Sequence, residues 1–220
     1  MTAAARMLAE ARRDLGMAGR PNAITKDYAS RNGAEFLRAP WCDMSVTHWA
    51  RQSGNADVVL PRGDRAYTVW HAQDGERLGR WYKGTAANLR EHARPGAIVF
   101  FDWAGRDDID AIDHVGIVEK NLGDGRVQTI EGNTADACKR RVRASNVIAG
   151  FWNPDYPEED DVDVNDVWHK AKVRVNKGQE GEKDISPAAY LQEIETEQDR
   201  IKSKLDALSD KLDQVLARLG

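Results

Sequence analysis

Two residues of this chain have the types and the separation that nucleophilic chemistry needs. Cys42 follows Ala39-Pro40-Trp41, and His114 heads the run His114-Val115-Gly116-Ile117-Val118. A thiol becomes a strong nucleophile as its pKa falls, and a helix N-terminus with a neighbouring imidazole supplies two causes for that fall. A basic imidazole also needs a third group to fix its tautomer. Glu131, at the end of Val127-Gln128-Thr129-Ile130-Glu131, is the candidate orienter, and Gly132-Asn133-Thr134 follows it. Asn133 or the backbone N–H of Cys42 is the candidate oxyanion donor. A lone cysteine is most often a small buried hydrophobe. That reading stands for Cys138, whereas the His, Glu and flanking motifs reverse it for Cys42.

The elements around these residues can position them. Pro40 suits a helix entry, and Cys42, Val46, Trp49 and Ala50 then recur at helical spacing, which puts Cys42 in the first turn. Asn121-Leu122-Gly123-Asp124-Gly125 reads as a hairpin connection, so the end of the second strand returns beside the start of the first. His114 and Glu131 become neighbours. Alternation puts His114, Gly116 and Val118 on one face of their strand, and Val127, Thr129 and Glu131 on one face of theirs.

The chain resembles the CHAP domains (cysteine, histidine-dependent amidohydrolase/peptidases), a papain-like branch related to NlpC/P60. The matching residues are Pro40-Trp41-Cys42-Asp43-Met44, Pro95-Gly96-Ala97-Ile98-Val99-Phe100-Phe101-Asp102-Trp103, Asp113-His114-Val115-Gly116-Ile117-Val118-Glu119, Ile130-Glu131-Gly132-Asn133-Thr134 and Gly150-Phe151-Trp152. Five weak motifs in the expected order make a strong one, over roughly residues 1–155. Two positions depart from the family: Ala97 stands where Asp is usual, bearing on a turn, and Asp113 stands where Gly precedes the His, bearing on the charge beside the base. The resemblance implies an α+β fold, a papain-like CHAP domain with N-terminal helices, a nucleophile-bearing helix and an antiparallel sheet. It also implies amide cleavage in bacterial peptidoglycan, as an N-acetylmuramoyl-L-alanine amidase or a peptide-bridge endopeptidase of the phage endolysin type. The alternatives are an inactive wall-binding or virion module on the same fold, and a papain-like hydrolase of a non-wall substrate.

Composition sets the remaining bounds. The chain has 220 residues, 41% of them hydrophobic, with seven Trp, six of which precede residue 155 and mark one packed core there. Residues 1–155 carry 22 Lys and Arg against 20 Asp and Glu, while 156–220 carry 10 against 16, so no concentrated basic face suggests nucleic acid. Lys139-Arg140-Arg141-Val142-Arg143 reads as a solvated strand edge that could touch an anionic wall polymer. Two cysteines argue against a disulfide framework. No segment approaches the ~20 apolar residues of a membrane span. The charged start, an amphipathic helix ending at Gly16 with Leu8, Ala11 and Leu15 inward, lacks a signal-peptide core. Synthesis in the host cytoplasm and action on the wall after release are therefore expected.

His48 lies about 240° around the helix from Cys42, and His71, His92 and His169 lack ligand-like partners. Asp27, Glu35 and Asp107-Asp108-Ile109-Asp110 do not form a calcium loop. No metal or cofactor is expected. Domain 1–155 is followed by an acidic linker and connector, 156–184, in which Asp166-Val167-Trp168 could start a helix and Lys172-Val173-Arg174-Val175 alternates like a strand. A helix follows at 185–220, beginning near Ser186 and Pro187. Its apolar seam of Leu191, Ile194, Gln198, Ile201, Leu205, Leu208, Leu212, Val215 and Leu219 steps alternately by three and four, a heptad pattern. Homo-oligomerisation through 191–219 is expected, with the Leu and Ile placement leaning toward trimers or tetramers and Gln198 setting register. The competing reading folds the helix back on its own domain, with Leu216 widening the stripe.

Overall fold

The computed structural model describes residues 1–106, 108–157, 173–175 and 183–219. The chain divides into two compact units, Met1–Glu159 and Asp160–Gly220. In the first unit, α1 (Ala3–Arg13) starts at Thr2, whose hydroxyl accepts from the Ala5 N–H, and buries Ala3, Met7, Leu8 and Ala11. It ends before the expected Gly16, which takes a left-handed φ of 91° in the turn that follows. A reciprocal Asn22–Thr25 capping box opens α2 (Ala23–Asn32). The nucleophile-bearing helix is α3 (Cys42–Gln52), and Cys42 is its first residue. Three shorter helices follow: α4 (Ala56–Val59), α5 (Thr68–Arg77) and α6 (Ala86–His92).

Six antiparallel strands form one sheet: β1 (Trp81–Lys83), β2 (Ile98–Phe101), β3 (His114–Asn121), β4 (Arg126–Glu131), β5 (Lys139–Ala144) and β6 (Ile148–Trp152), in the order β1-β6-β2-β3-β4-β5. The expected β3–β4 hairpin is present, with Gly123 and Gly125 at positive φ in its turn. The fold is thus α+β, as expected. Central strands β2 and β6 are buried throughout because apolar groups cover both faces of the sheet. One face packs Ile98, Phe100, Val115, Ile117 and Ile130 against α1, α3 and α5; the other packs Val99, Phe101, Val118 and Val127 with Leu89 of α6. Glu119 occupies a bulge in β3, between Val118 opposite Thr129 and Lys120 opposite Gln128. There its carboxylate takes Arg12 of α1 at 2.7 Å, Gln128 at 2.8 Å and the Arg140 guanidinium, which ties helix and sheet together. Tyr156 also belongs to this unit, packing on its core with its hydroxyl donating to the Gly96 carbonyl at 2.8 Å.

In the second unit, β7 (Val173–Val175) pairs antiparallel with β8 (Lys183–Ile185). Strand β7 lies where alternation suggests one. Ser186 then caps α7 (Pro187–Leu219), its hydroxyl accepting from the Ala189 N–H at 3.2 Å. The acidic run from Glu158 and the Asp166-Val167-Trp168 helix start lie outside the described residues. No helix among the described residues is long and apolar enough to cross a membrane.

Candidate active site

The first turn of α3 is seated at the notch where β4 leaves β3. Gly132 is tightly packed there: a Cβ on it would come within 1.8 Å of the Ser45 Oγ and 3.1 Å of the Trp41 ring. On the other side of the notch, the peptide N–H of Val115, next to His114, faces the Cys42 sulfur, as do the N–H groups of Cys42 and Asp43. The helix N-terminus is therefore where the sequence puts it, but its effect on the thiol is outweighed. Burial to 7% exposure pushes Cys42 up to about 12, and the adjacent Asp43 carboxylate adds to the rise. The expectation of a depressed thiol is corrected. The resting sulfur carries its proton, and a base must remove it.

His114 and Glu131 do meet. The imidazole Nε2 lies 3.2 Å from the Glu131 Oε2. Burial opposes ionisation of Glu131, yet hydrogen bonds from Arg143 and His114 hold its carboxyl down at about 2. An ionised carboxylate only accepts, so Nε2 carries the proton and Nδ1 is the basic nitrogen. Gly116 makes this contact possible, since a Cβ on it would sit 2.7 Å from the Glu131 Cγ. Among the described residues no hydrogen bond joins Cys42 to His114. Such contacts often form only when substrate arrives.

Asn133 follows Gly132 in a left-handed conformation, φ 58°, and its amide makes no hydrogen bond to another described residue. Ala135 and Asp136 share the positive φ, and the loop is held by Trp41 Nε1 on Asp136 at 3.4 Å and by Cys138 N–H on the Met17 carbonyl at 2.8 Å. Cys138 is free and buried.

Several residues around this site escaped the sequence reading. Arg143, taken as solvated edge, donates from Nε to Glu131 Oε1 at 2.8 Å and from a terminal nitrogen to Oε2 at 2.7 Å, while Arg140 clamps Glu119. Sequence alone carried little signal for this pair: strand pairing puts Lys139 directly opposite Glu131 and Arg143 opposite Val127, so Arg143 reaches Glu131 along the sheet rather than straight across it. Thr129 donates its hydroxyl to Glu131 at 2.6 Å. Trp103, 46% exposed, lies 5.6 Å from the His114 ring and 4.8 Å from the Arg143 guanidinium carbon. Asp113 turns its carboxylate to the Trp103 N–H at 3.1 Å. His71 is fully buried, with Nδ1 2.6 Å from Asp43 and Nε2 3.0 Å from the Val59 carbonyl, two contacts that the sequence reading did not foresee. His48 instead pairs with Asp27 at 2.8 Å. A cleft of about 590 Å³ is lined by Arg94, Pro95, Asn153 and Pro154 and by none of these site residues, so volume does not locate the chemistry. Among the described residues no three His, Cys, Asp or Glu side chains are grouped to hold a metal ion.

Residues 34–133 match the family model of the CHAP domain. Over that span the chain is similar to the CHAP domains. The matched span runs from before Cys42 to Asn133, so it holds all four candidate site residues, and the six-stranded α+β unit is consistent with a papain-like CHAP fold. CHAP domains are typically cysteine- and histidine-dependent hydrolases acting on peptidoglycan. Comparison with curated proteins and with solved structures gave no significant match.

Proposed function

We propose that this chain is a peptidoglycan hydrolase that opens an amide of the bacterial wall through a cysteine thioester. The observation that carries this reading is the 3.2 Å His114–Glu131 contact beside a cysteine that heads a helix. In the proposed sequence, His114 Nδ1 takes the Cys42 proton as the sulfur attacks the amide carbon. A C–S bond forms, and the negative oxygen is met by the Asn133 amide or the Cys42 N–H. The imidazolium returns the proton to the leaving nitrogen as the C–N bond breaks. Water, deprotonated by the same imidazole, then hydrolyses the thioester and frees the thiol. Glu131 holds the ring and stabilises its cation throughout.

The bond is the muramoyl–L-alanine amide or a cross-bridge peptide, since the same acyl transfer serves both. A zymogram on bacterial walls, run beside Cys42→Ala, tests the activity; mass spectrometry of released fragments assigns the bond. Clearing by Cys42→Ala comparable to the native protein would remove Cys42 from the mechanism. The competing reading, an inactive CHAP-fold module, has the buried, protonated thiol on its side, and absence of any clearing by the native protein would favour it.

The phage endolysin assignment is part of the same proposal. It expects host cells expressing the protein to lyse when their membrane is permeabilised and to stay intact otherwise. Oligomerisation through 191–219 is also proposed. It is supported by the seam of α7, where Leu191, Ile194, Ile201, Leu205, Leu208 and Leu212 are 37% to 60% exposed, a stripe that a second copy could cover.

A further inference from the structure

Glu131 spends both of its oxygens on one cation. Arg143 grips it bidentately at 2.8 and 2.7 Å, and the same carboxylate holds His114 at 3.2 Å and the Thr129 hydroxyl at 2.6 Å. A fork of this kind fixes the plane of the carboxylate as well as its charge. Arg143 is itself braced: its guanidinium carbon lies 4.8 Å from the Trp103 ring centre and 5.5 Å from that of Phe101, and these two rings stack at 5.3 Å with 5° between their planes. Both rings also lie 5.6 Å from the imidazole of His114.

The geometry points to Arg143 as a positioning residue that acts through Glu131 to hold His114 ready to receive the Cys42 proton. The inference rests on the proposed roles of Cys42, His114 and Glu131. A carboxylate fully buried in this apolar setting favours its neutral form unless a cation offsets the burial. Without the guanidinium, Glu131 gains a proton and loses its fixed plane. The imidazolium that forms during attack then lacks a negative partner. A lysine offers a point charge in place of the fork and supplies only part of the effect.

The groups that face this carboxylate define the pH behaviour. They are His114 from β3, Thr129 from its own strand, Arg143 from β5 and the buried Cys138 thiol, which the Glu131 charge helps to keep protonated, with Trp103 and Phe101 as uncharged walls. Internal transfer of the Cys42 proton to His114 gives a reactive thiolate with no net loss of a proton, so it does not need the alkaline conditions that direct ionisation of a buried thiol needs. Direct ionisation of the thiol adds a separate alkaline limb. Arg143 should govern the first and not the second.

The test uses the full chain and no wall substrate: the rate of Cys42 alkylation by iodoacetamide is followed by peptide mass across pH 5 to about 11, a range reaching into the direct titration of a raised thiol. Arg143→Met is expected to lower the near-neutral limb about ten-fold or more, the factor one charge-assisted hydrogen bond carries, and to leave the alkaline limb in place. Arg143→Lys should fall between. Arg140→Met removes a matching clamp on the same strand that grips Glu119 instead, and its curve should coincide with the native one. If Arg143→Met fails to fold, Arg143→Lys decides, and a near-neutral limb equal to the native one overturns the inference. A limb lost in His114→Gln but kept in Arg143→Met overturns the inference alone. A limb that survives His114→Gln overturns the reading of the cysteine–histidine pair together with it.

Discussion

Glu131 and Asn133 sit two residues apart and should fail in different ways. Glu131→Gln keeps the shape but removes the charge that faces the imidazole and leaves Arg143 without its carboxylate. Wall turnover should drop by at least about 10²-fold, the low end of what general acid–base catalysis contributes. Asn133→Ala removes one donor, for a loss of roughly 10²- to 10³-fold with the pH–rate curve unchanged in shape. Turbidity clearing measured across pH separates them, and a native pH–rate curve with intact turnover in Glu131→Gln would make Asn133 the orienter. Gly116 matters at the same scale for what it lacks. A Cβ there meets the Glu131 Cγ at 2.7 Å and the Ile130 carbonyl at 2.9 Å, and the carbonyl belongs to a paired strand.

Between elements, two junctions hold the site together. At the first, α3 meets the end of β4 through Gly132, and Gly132→Ala should destabilise the unit by about 1 to 3 kcal/mol, the range for overpacking. Circular dichroism melting reads the loss, and an unchanged midpoint would mean that the notch gives way freely. At the second, Glu119 joins α1, β3, β4 and β5. Arg140, followed by the opposing effect of burial and then by Arg12 and Gln128, sets its carboxyl at about 2 against an ordinary 4.5. A depressed acid stabilises the fold above its unfolded pKa, and that stability is lost as pH falls through the folded one. Glu119→Gln should therefore cost on the order of 3 kcal/mol at most near pH 7. Its difference from the native protein should shrink between about pH 4.5 and 2. Urea unfolding at several pH values checks the sign.

For the whole molecule, the relevant observation is that each unit has its own internal contacts. A chain ending after Glu159 keeps Tyr156 on its core and should fold and retain the chemistry. If the α7 seam assembles copies, the full chain should be a multimer by light scattering and clear walls faster per site, through effective concentration on a repetitive polymer. The truncated chain should be monomeric and slower. A monomeric full chain at tens of micromolar, an order-of-magnitude working concentration for such association, would favour the helix acting within its own chain.

Much of the site could be read before any fold was known. Cys42 at a helix start, the 121–125 hairpin and the return of Glu131 to His114 follow from local rules: a proline before a helical period, glycines in a turn, and the two-residue alternation of a strand. The seam of α7 is equally local, because a heptad is a property of consecutive residues. What only tertiary structure decided are the matters of who stands beside whom across the sheet. Arg143 reaches Glu131 from a position opposite Val127, while Lys139 is the residue directly across, and Arg140 reaches Glu119, which sits in a bulge that strand alternation does not foresee. The protonated thiol is decided there as well. Spacing placed Cys42 at the positive end of a helix, but how much water reaches its sulfur depends on the packing of α3 against β3, and in this chain burial outweighs the helix.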